Sequence, residues 1–171
     1  MKKIFYVVVF LWLLLPPGLY AGAVQQPTPI ASNGETIIVA KSTKLNIHVK
    51  ITTHEVQIGK PSDKRPDVSR SSCTYSRYPC SIVDGINITA NDKSIFVPRS
   101  VFCDLADLNT GEVKIGQKEA ILMLIGGDAS ESYIVKIEFD AEQVKRRVTT
   151  SGMLPDQPLQ ETTYHRRILG D

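Results

Sequence analysis

Three histidines, three cysteines and one loop rich in serine and acid are the groups in this 171-residue chain whose types could do chemistry. His48 and His54 stand six residues apart in an alternating stretch, on one face of an extended strand. At ~3.3 Å per residue they lie roughly 20 Å apart, too far to share a metal ion. His165 is remote from both in sequence, and all three read as surface histidines. Ser130 and Ser132 lie near Asp128 in the loop 126–132, but no Gly-x-Ser-x-Gly elbow and no neighbouring histidine accompanies them. Gly126 and Gly127 are followed by the acids Asp128 and Glu131, not by the lysine and helix of a phosphate cradle. Asp128, Ser130 and Ser132 alternate without the acids that a calcium loop needs. Asp104, Asp107, Glu112 and Asp128 are scattered and form no carboxylate pair of the glycosidase kind. No catalytic residue, metal or cofactor is predicted.

The cysteines carry a different chemistry. Cys73 and Cys80 bracket a six-residue polar loop whose ends can meet, and their pairing as a disulfide is predicted. Cys103 is then left as a small buried hydrophobe. The cysteine loop presents Tyr75, Arg77 and Tyr78, residue types enriched at interface hot spots, in a segment with a local excess of basic residues. These three are the first predicted contact residues. Asp128, Ser130 and Glu131 of the Gly-rich loop are the second set.

Those loops need a scaffold and a compartment. Lys2 and Lys3, the apolar run from Ile4 to Leu15, the break at Pro16-Pro17-Gly18 and the small residues Ala21-Gly22-Ala23 have the grammar of a cleaved bacterial signal peptide over 1–23. The apolar run falls short of the ~20 residues that span a bilayer. The expected location is therefore the periplasm or the exterior, with no membrane span in the mature form, and a disulfide can persist there. Removing Lys2 and Lys3 from the 20 basic residues leaves 18 against 18 acids. A neutral chain gives nucleic acid no reason to bind.

The elements read as mostly strand. Ala120 to Ile125 is an unbroken apolar run suited to the middle of a sheet covered on both faces, and Tyr133, Val135, Ile137 and Phe139 alternate with more polar neighbours after the loop. Leu45, Ile47, Val49 and Ile51 alternate even more regularly, and 36–40 forms a shorter apolar strand before them. The spacing of Val101, Phe102, Leu105 and Leu108 predicts one short helix over 100–108. Residues 24–34 read as a flexible arm, 59–85 as a long loop, and the tail from Leu159 to Leu169 as an edge strand. The expectation is a mainly β single domain over 35–171, a sandwich or a curved antiparallel sheet. By elimination of catalytic grammar, the predicted function is binding: an exported inhibitor or immunity-type protein that occupies another protein's surface. An assembly component of an envelope or secretion complex, adding its edge strands to a neighbour's sheet, is the alternative, and a small hydrolase of unfamiliar design the third reading.

Overall fold

The structure is a computed structural model that describes residues 26–58, 73–74 and 77–165. Period-two alternation becomes strand throughout it. The segments β1 (Thr28–Pro29), β6 (Leu108–Ile115), β7 (Ala120–Gly126), β8 (Tyr133–Phe139), β9 (Val144–Ser151) and β10 (Pro158–Thr163) form one antiparallel sheet in the order β1-β6-β7-β8-β9-β10. A second antiparallel sheet runs β2 (Gly34–Lys41), β3 (Asn46–Val56), β4 (Cys80–Ala90), β5 (Lys93–Ile95). The protein is mainly β, a sandwich of these two sheets.

Each sheet turns its apolar face toward the other. Ile38 and Ala40 of β2, Ile47, Val49 and Ile51 of β3 and Ile88 of β4 meet Leu122 and Leu124 of β7 and Val135, Ile137 and Phe139 of β8 in one buried cluster. Burying a side chain of this size stabilises by roughly 1.5–3 kcal/mol before entropy is charged against it. The turn between β4 and β5 is the pair Asn91-Asp92, both at positive φ (50° and 63°), a backbone shape that these two residue types tolerate and that matches hairpin twist. Strand β7 lies in the middle of its sheet as its apolar run predicts. Its inward residues Ala120, Leu122 and Leu124 are buried, whereas Ile121, Met123 and Ile125 on the other face are half-buried, so the two faces are covered unequally.

Four expectations need correction. The helix predicted over 100–108 is one 3-10 turn, Arg99–Val101, and Leu108 already belongs to β6. Tertiary bonding wins over the apolar spacing there: Val83 N–H donates to Leu105 O, Asp107 N–H to Ser81 O, and Asp107 adopts φ 48°, outside helical space. Cys103 is exposed rather than buried, because Val101 and Phe102 take the inward positions and the turn ends before Cys103. The arm 24–34 is not loose where it is described, since Thr28 pairs with Gly111, Pro29 with Thr110, and Ile30 N–H donates to Asn109 O at 2.9 Å while its side chain packs on the core. The loop 59–85 is shorter than predicted at its end, for Cys80 to Gly85 pair with β3 as part of β4. Residues 59–72 of that loop, the signal segment 1–23 and Tyr75 lie outside the described residues.

Candidate functional site

One end of the sandwich gathers three chain segments that the sequence separates widely, and Asp107 joins them through its carboxylate and its backbone carbonyl. Asp107 sits between the 3-10 turn and β6 and is buried to 1% exposure. Its Oδ2 accepts from Thr74 N–H at 2.7 Å and its Oδ1 from Ser81 N–H at 2.9 Å, so one side chain clasps the cysteine loop on both sides of the disulfide Cys73–Cys80. Its backbone carbonyl accepts from Gly127 N–H at 3.1 Å and from Arg77 Nη1 at 3.3 Å. Asn109, two residues on, accepts from Arg77 Nη2 at 2.5 Å and donates Nδ2 to Gly127 O at 2.8 Å. The cysteine loop and the Gly-rich loop are thereby bound to the same three-residue stretch.

The Gly-rich loop is shaped by backbone as well. Gly127 has φ 74°, and a Cβ there would lie 2.3 Å from Glu131 O, so this position requires glycine. A 3-10 turn, Ala129–Glu131, then carries Asp128, Ser130 and Glu131 outward, all three exposed. Tyr133 closes the base: its hydroxyl donates to Ala106 O and accepts from Ala106 N–H at 3.2 Å. Between the two loops lies a cavity of about 260 Å³ lined by Cys73, Thr74, Glu131, Tyr133, Arg147 and Thr149 among others. Arg147, 2% exposed, donates Nη2 to Asp104 Oδ2 at 2.8 Å and Nη1 to Gln160 Oε1 at 3.2 Å.

The predicted contact residues divide accordingly. Asp128, Ser130 and Glu131 project as expected. Arg77 is half-buried, with its guanidinium bound to Asp107 O and Asn109, so it braces the loop more than it presents charge; Tyr78 beside it is half-buried too. The predicted disulfide is formed, with Cα atoms 5.6 Å apart. Sequence reasoning weighed Asp107 only as one of four scattered acids and missed its clasping role, and it read Asn109 only as the residue that ends a helix. Ligand atoms of Cys73, Cys80 and Asp107 lie within 4.8 Å of one another, but the two sulfurs are bonded to each other and both carboxylate oxygens already accept N–H groups. His54 is paired with Asp84 at 2.7 Å, and His165 lines a separate cleft beside Phe96 and Tyr164.

Burial pushes the Tyr133 phenol well above its ordinary range; the Ala106 backbone hydrogen bond opposes that shift, while nearby Asp107 and Asp104 add to it. A group whose folded pKa is raised contributes stability that is complete below the unfolded pKa, about 10 for tyrosine, and is lost as pH rises beyond it. Above pH 10 the unfolded chain releases this proton while the folded chain keeps it. Stability should then fall by about 1.4 kcal/mol per pH unit on account of this one group. Urea midpoints at pH 9 and 11 for the wild type and Tyr133→Phe measure it, and the variant should show the shallower pH dependence by that amount. Equal slopes would mean that Tyr133 ionises freely in the fold.

Comparison with known proteins finds no family model, no curated protein and no solved structure that matches this chain.

Proposed function

We propose that the chain is an exported binding protein of the inhibitor or immunity type, which acts by occupying a partner protein's surface with this loop end. The observation that carries the reading is the clasp at Asp107. A cysteine loop closed by a disulfide and clasped by one buried carboxylate, beside a Gly-rich loop tied to the same residue's backbone carbonyl and to Asn109, pays little entropy on docking, which is where rigid inhibitors gain their affinity. Asp128, Ser130 and Glu131 supply an exposed polar contact set, with half-buried Tyr78 as its aromatic member. The disulfide suits an oxidising compartment, and no helix among the described residues is long and apolar enough to cross a membrane. The signal-like segment 1–23 supports export to the periplasm or beyond.

The test uses the mature chain, 24–171, as bait against periplasmic and secreted fractions, with partners identified by mass spectrometry. A stoichiometric enzyme partner should be retained by the wild type and held about ten-fold more weakly by the triple variant Asp128→Ala, Ser130→Ala, Glu131→Ala, a loss typical of a contact set of this size. A partner that binds the triple variant equally well, or recovery of envelope assembly proteins alone, would count against the loop end as the contact surface.

A further inference from the structure

Among the described residues the two sheets end in four edge strands, of which β1 and β5 are too short to pair well with another chain. β1 has two residues and β5 three, and on β2 Val39 already has an interaction partner of its own. β10 is different. Its backbone register with β9 is regular from Gln160 to Thr163, and Tyr164 N–H extends it by donating to Lys145 O at 2.8 Å. In an antiparallel ladder a residue's N–H and C=O point the same way and successive residues face opposite edges. Since Tyr164 faces β9, so do Thr162 and Gln160. Glu161, Thr163 and His165 therefore direct their backbone groups outward, and among the described residues nothing pairs with them.

The side chains along this edge say what it fits. Pro158, which has no N–H to offer, guards only the first residue of the strand. Glu161 is held by Arg146 Nε at 2.8 Å within its own sheet, which fixes the position of the one acid on the strand while leaving its carboxylate half exposed at the edge. Glu161, Thr163 and His165 are all exposed. Run a second copy antiparallel to this edge about a two-fold axis at Thr163. Thr163 then faces Thr163 of the other copy, and Glu161 of each faces His165 of the other. All of these residues are outward-facing, so each opposed pair exchanges two backbone hydrogen bonds, about six in all. A two-fold at Glu161 would instead set two carboxylates face to face. Phe96, at 81% exposure the most exposed large apolar side chain among the described residues, lines a cleft with Tyr164 and His165 at the same seam.

We infer that β10 is the seam of a homodimer, in which two six-stranded sheets join edge to edge through 161–165 with Glu161 and His165 opposed across the two-fold. The proposal stands apart from the loop-end reading, because β10 and the loop 126–132 are different surfaces. Sedimentation equilibrium of the mature chain from about 1 to about 500 μM tests it, and a monomer–dimer equilibrium within that range is expected. Thr163→Pro removes an N–H that points away from β9 and so breaks no internal bond, and it should weaken the dimer about ten-fold while far-ultraviolet circular dichroism stays unchanged. His165→Glu sets like charges opposite Glu161 and should weaken it about five-fold; it lies beyond the strand and keeps the test open if the proline variant misfolds. A chain that is monomeric throughout, or a dimer indifferent to both substitutions, overturns the inference, and so does a monomer whose β10 edge pairs only with the strand of another protein.

Discussion

Asp107→Ala should cost about 4 kcal/mol of folding stability and release the loop end while the sandwich persists. The substitution leaves two buried backbone donors, Thr74 N–H and Ser81 N–H, with no acceptor, and each orphaned donor costs about 1–3 kcal/mol. The β-carbon of alanine at φ 48° is tolerated less well than that of aspartate, which adds to the loss. Against a typical total of 5–15 kcal/mol this is a large fraction. Asp107→Asn separates hydrogen bonding from bulk: it keeps one acceptor oxygen but sets an NH₂ against an N–H donor, so about half of the full cost should remain. Urea denaturation gives both numbers. Amide exchange at Thr74 and Ser81 should accelerate in both variants while exchange at Ile137 in the core does not. A loss under about 1 kcal/mol for the alanine variant would show that the disulfide holds the loops without the carboxylate.

Residues differ in how well they foretell this arrangement. The alternation of Leu45, Ile47, Val49 and Ile51 is a local consequence of the pleat, so the buried face of β3 can be read directly from the chain. Cys73 and Cys80 are legible for a similar reason, since their short separation allows closure whatever the rest does. Asp107 is not legible. Its role exists only because folding brings it to Thr74 and Ser81, 33 and 26 positions away, and before that it is one acid among 18. The segment 100–108 misleads on the same ground: Val101, Phe102, Leu105 and Leu108 satisfy a helical stripe equally well as an irregular chain whose backbone is diverted to β4. Arg77 shows the converse error, an exposed-looking charge that the fold turns back to bind a carbonyl. In each case the local period was sound and a long-range polar bond decided the outcome.

Arg147 poses the question of what a buried charge is worth here. It lies on the inward-facing side of β9 opposite Ile137, at the cavity it lines with Leu105 and Tyr133, and ties three elements by reaching Asp104 before β6 and Gln160 on β10. Its Nε meets no hydrogen-bond partner among the described residues. The ion pair is lopsided: the Arg147 side chain is 2% exposed, whereas Asp104 is 43% exposed and can return to water if its partner is removed. Desolvating the guanidinium therefore offsets much of what the pair contributes, and the long aliphatic stem fills space in its own right. Arg147→Ala should cost about 3 kcal/mol, chiefly from the cavity it opens beside Leu105 and Tyr133. Arg147→Met keeps the stem and discards the charge, and it should cost less than about 1 kcal/mol or even stabilise. Thermal and urea unfolding of both variants decide the matter. If methionine proves as damaging as alanine, the guanidinium's hydrogen bonds, and not its bulk, fasten β10 and the 102–107 segment to the sandwich.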